Sequence, residues 1–291
     1  MTAELSYDLI VASASRPHLL RPTLASLRLY SDMPPSRIIL HDDAAFPGKK
    51  DEIAAVVSDV FGCSAPVTFG YDDPPIRHGP TLKWLLDRTD AEYALYTQDD
   101  HQVIRPLPIQ SALTVMYEYD LNQVRFNKRD TGPWKETWKG RWYKVPVTFP
   151  DRRDDARGAW VFPGHSDVPG TVLTVSDHWH FQTSLWRVSV IKPIVDWFMD
   201  DMQEGAWFSE HCEAKANNAL NGNVERFPRG LVTLPPSALT PEQRERDQEV
   251  RATYQKTFIW GGIDCKAYVR HIGNKPDDWA LPHPRAAYDG R

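Results

Sequence analysis

The chain has 291 residues and a formal net charge of −5, room for one large α/β domain or two small ones with a sizeable core. Apolar residues make up 41% and charged residues 25%, which argues against a disordered or fibrous chain, and no run approaches the roughly 18 apolar residues of a membrane span. Three cysteines, Cys63, Cys212 and Cys265, exclude a disulfide framework, and the first residues lack the layout of a signal peptide, so a cytoplasmic protein is expected.

Tyr7 to Ser13 is an apolar run rich in β-formers and predicts a buried strand. Arg16-Pro17 follows, and Leu19, Leu20, Leu24, Leu27 and Leu29 then repeat at helical spacing. A second strand covers Arg37 to Leu40 and closes on His41-Asp42-Asp43. Ile53, Val56, Val57 and Val60 predict a helix over 50–61. Val67 to Phe69 is a third strand, Thr81 to Asp87 a helix, and Glu92 to Thr97 a strand that runs into Gln98-Asp99-Asp100. This alternation predicts an α/β fold with a mostly parallel sheet between helices. Residues 1–105 form one half and residues 106–291 a second half of one continuous domain.

Beyond residue 105 the pattern loosens. The chain carries 24 prolines and 11 tryptophans, and six of the tryptophans (Trp134, Trp138, Trp142, Trp160, Trp179 and Trp186) fall in one middle segment. They are either large core residues or a platform for a flat ligand. Residues 125–170 read as a β-rich or loop-rich insertion. Helices are expected over 188–202, with Pro193 as a break, over 207–220, capped by Ser209, and over 240–257. The last ~30 residues read as an extended tail.

In a parallel sheet, ligands bind beyond the carboxyl ends of the strands. Three strands here end in polar residues: Ser13-Ala14-Ser15-Arg16, His41-Asp42-Asp43 and Gln98-Asp99-Asp100. Adjacent carboxylates at a strand end need a counter-charge, which a divalent cation supplies while sharing its shell with phosphate. Ser13, Ser15 and Arg16 offer hydroxyls and a guanidinium to a diphosphate. A carboxylate such as Asp42 or Asp43 can take hydrogen bonds from a base or a ribose. Each of these stretches also reads as an ordinary solvated turn.

The order of these pieces resembles the GT-A glycosyltransferases, closest to the family 2-like group. Val11 to Pro17 is similar to the T-x-x-R-P-like motif, Asp42-Asp43 to the acidic pair that reads the base, and His78-Gly79-Pro80-Thr81-Leu82-Lys83 to a G-x-x-x-x-x-N-like stretch. Gln98-Asp99-Asp100 takes the place of D-x-D or E-D-D, with Gln98 as a departure from the motif. The resemblance covers residues 7–105 well and the rest loosely.

The resemblance implies Asp100 as metal ligand, Asp99 beside the sugar or ribose, and Ser13, Ser15, Arg16, Asp42, Asp43, Lys83 and Lys275 around the nucleotide-sugar. The late Arg270-His271-Ile272-Gly273 resembles a segment that brings a histidine to the metal, here His271. Phe208 to Glu213 is similar to the helix start that carries the catalytic base of inverting members, with Glu210 as first choice and Glu213 as second. His211 departs from the pattern there. Mn2+ or Mg2+ and a nucleoside-diphosphate sugar, UDP-sugar first, are the implied cofactor and donor.

The paired imidazoles of His178 and His180 read as an acceptor-side wall or core. From Asp120 to Lys144 seven basic residues face three acids, with Trp134, Trp138 and Trp142 interleaved. That mixture suits a phosphate backbone with stacked bases, or an acidic glycan. Trp134, Trp138, Lys139 and Arg141 are therefore the candidate acceptor contacts. The acceptor is a saccharide or envelope intermediate, or a hydroxymethylated pyrimidine in DNA of a phage-infected host. The competing classes are a non-catalytic nucleotide-sugar or nucleic-acid binder and a nucleotidyltransferase.

Overall fold

The computed structural model describes residues 5–128, 153–154, 159–162, 171–175, 179, 181–201, 209–220, 256–261 and 266–272. Its first half alternates as the apolar pattern predicts: β1 (Tyr7–Ser13), α1 (Pro17–Tyr30), β2 (Arg37–Asp43), α2 (Lys50–Phe61), β3 (Val67–Asp72), α3 (His78–Asp87) and β4 (Tyr93–Gln98). Every residue of β1 is buried, as expected of a strand covered on both faces. α1 opens on Pro17, whose missing N–H costs nothing there, and carries Pro22 in its second turn. α2 opens with Asp51 and Glu52, which favour its positive end, and closes on Gly62 at φ 55°.

The second half comprises β5 (His101–Val103), α4 (Ile109–Glu118), β6 (Gln123–Arg125), β7 (Arg153–Asp154), β8 (Ala159–Phe162), β9 (Thr171–Val175), β10 (Ser184–Arg187), α5 (Val188–Asp201), α6 (Ser209–Leu220), β11 (Thr257–Trp260) and β12 (Val269–His271). α5 runs through Pro193 without ending. The helix expected to reach residue 257 does not, because Thr257 begins β11; residues 240–255 lie outside the described residues.

One mixed sheet has the order β3-β2-β1-β4-β10-β6-β11-β9-β8-β7. β3, β2, β1 and β4 are all parallel, whereas β10 runs antiparallel to β4 and to β6. The chain builds β1, β2 and β3 outward in one direction, then returns to place β4 on the other side of β1. The switch point therefore lies between β1 and β4, where their carboxyl ends diverge. Because β10 runs the other way, residues 181–183 just before it also reach that edge.

Apolar layers cover both faces. Leu9 and Val11 of β1 pack with Leu20, Leu24, Ile53, Val57 and Leu113 on one side. Ile10 and Ala12 pack with Leu82, Leu85, Ile191, Phe198 and Ala216 on the other. This is the period-2 alternation of a strand buried between helices. Trp179 and Trp186 are fully buried. Trp186 stacks on Tyr96 at 4.3 Å and donates its indole N–H to Ser184 Oγ at 2.8 Å, so these two tryptophans are core. Trp134, Trp138 and Trp142 lie outside the described residues.

Among the described glycines Gly48, Gly62 and Gly70, Gly70 of β3 has the least room for a side chain. A Cβ there would stand 2.5 Å from the Trp84 ring and 2.7 Å from His41. Gly70→Ala should lower stability by about 1–3 kcal/mol; a urea midpoint unchanged from wild type would contradict this packing.

Candidate functional site

The site is built at the carboxyl edge by three strand ends held to one another. Ser13 and Asp42 are register partners in β1 and β2, and Ser13 Oγ donates to Asp42 Oδ2 at 2.6 Å. The Ser15 amide donates to the same oxygen at 2.8 Å and its hydroxyl to Oδ1 at 2.6 Å. Ser15 has φ 57°, a left-handed conformation that costs a non-glycine residue about 1–2 kcal/mol. Asp42 offsets that cost and fixes the turn that leads into Arg16. It is fully buried, and burial raises its pKa against the lowering effect of the two serines. Its carboxylate thus lies under the loop and braces it.

Asp43 does the same for the next loop. Its Oδ1 accepts the amides of Ile76 at 2.5 Å and Arg77 at 3.0 Å. Arg77 has φ 72° and delivers His78 to the start of α3. β2 thus extends through both aspartates, and they serve the edge by shaping the loops around it. Beneath them His41 is fully buried and bonds Asp72 Oδ2 at 2.7 Å through Nε2.

The third strand end carries the charge. Arg16, 7% exposed, clamps Asp99 with Nε at 3.1 Å and Nη2 at 2.5 Å, and reaches Asp100 Oδ2 at 2.9 Å. Asp99 also accepts the Ala14 amide at 3.1 Å; its own amide bonds the Ala12 carbonyl, and its carbonyl accepts the Thr23 hydroxyl at 2.9 Å. Asp99 therefore fastens β4 to the β1–α1 turn. Gln98 points elsewhere: its amide donates to the Phe181 carbonyl at 3.0 Å and to Tyr96 Oη at 3.3 Å.

Asp100 is 4% exposed. Burial alone would raise its pKa, but Arg16 and the imidazoles of His271 and His101 outweigh burial and hold it well below the usual carboxylate range. Its Oδ2 accepts from His271 Nε2 at 3.0 Å. His101 stands on the other side, with Nε2 3.8 Å from Oδ1. The two histidines are directly paired across the small β12–β5 ladder, which the Ile272 amide extends to the Asp100 carbonyl. Ligand atoms of Asp100, His101 and His271 all lie within 4.8 Å of one another. Asp100 Oδ1 is buried and has no hydrogen-bond partner among the described residues. A deprotonated carboxylate with an unused buried oxygen beside two imidazoles is a donor set that fits a divalent cation.

On the far side of Gln98, Glu213 of α6 accepts the Phe181 amide at 3.3 Å. His78 lies 5.3 Å from the Phe181 ring and 6.4 Å from Tyr96, between ring centroids. Burial lowers its pKa to about 4 against the opposing pull of Glu213. Burial likewise lowers His101 to about 3 against Asp100. Thr183 joins the two groups, since its Oγ1 lies 3.4 Å from His101 Nδ1.

The structure thus gathers Ser13, Ser15, Arg16, Asp42, Asp43, Asp99, Asp100, His271 and Glu213 around one edge. It does not bring Lys83 there: that ammonium bridges α3 to α5 through Asp87 at 3.0 Å and Asp196 at 2.7 Å. Glu210 lies in the first turn of α6, with its side chain outside those described. Trp134, Trp138, Lys139, Arg141, His178, His180 and Lys275 also lie outside the described residues. Lys128, at the start of the basic segment, is close enough to act on His101.

Sequence reasoning missed His101 and His78. His101 follows the acidic pair directly, but only the pairing of β12 with β5 reveals that it faces His271. Among the described residues no helix is long and apolar enough to cross a membrane.

No protein-family model matches the chain, and no curated protein matches it in sequence. Similar solved structures exist. One is S. aureus TarS 1-349 in complex with UDP, 12% identical, TM-score 0.48, with 94% of this chain and 62% of that chain covered. The same protein in complex with UDP-GlcNAc gives 12% identity, a TM-score of 0.45, and coverage of 98% and 64%. A mannosyltransferase from Pyrobaculum calidifontis in complex with GDP-Man and Mn2+ gives 15%, 0.39, 44% and 37%. The chain spans less than two thirds of the length of each. At these identities the likeness is one of fold.

Two predictions follow from the electrostatics. Arg16→Met leaves two buried carboxylates facing each other, so it should cost about 3–5 kcal/mol in EDTA, and Mn2+ should raise the melting temperature of the variant more than that of wild type. Equal stability of variant and wild type in EDTA would refute the clamp. For His78 and His101 the folded pKa lies below the unfolded value of 6.5. The unfolded chain therefore binds more protons as pH falls from about 6.5 toward 4, and stability is lost in that window, by up to ~1.4 kcal/mol per pH unit for each histidine. In urea titrations in EDTA, His78→Asn should flatten this dependence; the same slope in both proteins would contradict the burial.

Proposed function

We propose that this chain is a metal-dependent glycosyltransferase of GT-A type, moving a sugar from a nucleoside-diphosphate sugar to an acceptor hydroxyl with inversion. The observation that carries the reading is Asp100 at the switch point. It is a buried, ionised carboxylate with an oxygen that has no hydrogen-bond partner among the described residues, fixed beside two imidazoles where a parallel sheet presents a ligand crevice. The motif order over residues 7–105 supports the same reading.

Asp100 and His271 would hold a divalent cation, which supplies charge neutralisation of the departing nucleoside diphosphate. The turn of Ser13, Ser15 and Arg16, braced by Asp42 and Asp99, shapes the nucleotide side. Asp43 sets the loop that faces it. Lys275 contributes to the phosphates, and UDP is the proposed nucleotide. The Glu213 carboxylate takes the proton from the acceptor hydroxyl. Its hydrogen bond from the Phe181 amide, two residues before Thr183, supports Glu213 in this role, with Glu210 one turn earlier on α6 as the alternative. The acceptor enters over the basic, Trp-rich segment that includes Trp134, Trp138, Lys139 and Arg141. The action of Lys128 on His101 ties the start of that segment to the site. A saccharide is the proposed acceptor, with DNA as the alternative.

A general base contributes about 10²–10⁴-fold. Glu213→Gln should therefore reduce sugar transfer by that order while UDP affinity stays at wild-type level. The assay is transfer from a panel of UDP-sugars to saccharide and hydroxymethylated-DNA acceptors. Full transfer by Glu213→Gln would remove it as the base, and loss in Glu210→Gln instead would move the role one turn back on α6.

A further inference from the structure

The donor set around Asp100 differs from an oxygen-rich magnesium site, and the difference lies in residues of this chain. The first acidic position is Gln98, and its amide is turned away to Phe181 and Tyr96. Asp99 is held by Nε and Nη2 of Arg16 and by the Ala14 amide. One carboxylate remains, Asp100, whose Oδ1 is buried and unpartnered among the described residues. The atom on that side of it is His101 Nε2.

His101 is also prepared as a ligand by its surroundings. Its Nδ1 lies 3.4 Å from Thr183 Oγ1, which lies 3.0 Å from Thr97 Oγ1, which in turn can donate to the Gln98 carbonyl at 3.4 Å. Read along that chain, Nδ1–H donates to Thr183, Thr183 to Thr97, and Thr97 to a backbone oxygen. The tautomer this favours leaves the Nε2 lone pair on the side of Asp100. An imidazole fixed through its second nitrogen is the usual arrangement of a metal-bound histidine. The cross-strand pairing of His101 with His271 sets the two rings 5.5 Å apart, close enough for both to meet one ion.

We propose that His101 is a third protein ligand, and that the resulting two-histidine, one-carboxylate site selects a transition metal such as Mn2+ or Co2+ over Mg2+. Imidazole nitrogen favours these borderline ions, whereas Mg2+ takes oxygen and parts reluctantly with its water. Three protein ligands leave coordination positions open to a diphosphate. This deepens the glycosyltransferase reading and rests on it for the identity of the substrate, though not for the metal ligands.

The test uses the full chain, without nucleotide, loaded with Co2+. Proton NMR of the Co2+ protein shows one hyperfine-shifted imidazole N–H resonance per ligating histidine. Wild type should give two, and His101→Asn and His271→Asn one each. Equilibrium dialysis should show Co2+ retained against a hundred-fold excess of Mg2+, with affinity lost by at least the ~10–100-fold typical of an outer-shell change when either histidine is replaced. Should His101→Asn fail to fold, Thr183→Val removes only the orienting hydroxyl and should itself weaken Co2+ by ~10–100-fold. A single imidazole resonance in wild type, displacement by Mg2+ at comparable concentration, or no Co2+ binding would overturn the proposal. Because no sugar donor is present, one resonance would dismiss His101 and leave the transferase reading standing. Failure of sugar transfer with two resonances intact would do the reverse.

Discussion

The structure depends on a buried guanidinium between two buried carboxylates. Arg16, Asp99 and Asp100 are each less than a tenth exposed, and none could be buried alone without a large desolvation cost. Together they compensate one another, and the condition for doing so is positional. β1 must deliver its turn to within hydrogen-bond reach of the end of β4, which the parallel register of those strands provides. The fold can be read as a device for holding this cluster at the switch point, since Asp42 braces the turn that carries Arg16 and Thr23 of α1 holds the Asp99 carbonyl.

A buried ion cluster of this kind contributes specificity more surely than stability. Here it sorts two adjacent aspartates into different jobs. Asp99 faces Arg16 and the Ala14 amide and fastens β4 to the β1–α1 turn. Asp100 shares only one guanidinium nitrogen and keeps an oxygen with no partner among the described residues. The remote segment 266–272 then closes on it, because the β12–β5 ladder fixes His271 opposite His101 and the Ile272 amide bonds the Asp100 carbonyl. Residues 171 positions apart meet at 3.0 Å through a ladder only three residues long. α6 is linked to the same edge by residues 181–183, which touch Glu213, Gln98 and His101 in turn.

The first half was legible because its signals are local. Apolar runs of strand length alternate with 3.6-period helices, and each strand ends in polar residues, so β1, α1, β2, α2 and β4 appear nearly at their true bounds. The function of the polar ends was less legible. The resemblance makes Asp42 and Asp43 the acidic pair that reads the base; β2 runs on through both, and their hydrogen bonds also brace two loops. Lys83 fell within the right motif, but it lies in a helix that turns it toward Asp196. His101 was invisible for the opposite reason: its meaning depends on a pairing with residues that lie far along the chain and carry no strand signal of their own. Pro193 read as a break, but α5 continues through it within the apolar layer formed by Ile191, Ile194 and Val195.

The nucleotide site proposed at these strand ends acts through an ion on Asp100. Calorimetric titration of UDP into the chain, with Mn2+ and then in EDTA, tests it most directly. Binding that requires Mn2+ and disappears in Asp100→Asn is the predicted result. UDP binding of equal strength in EDTA, or undiminished in Asp100→Asn, would contradict it.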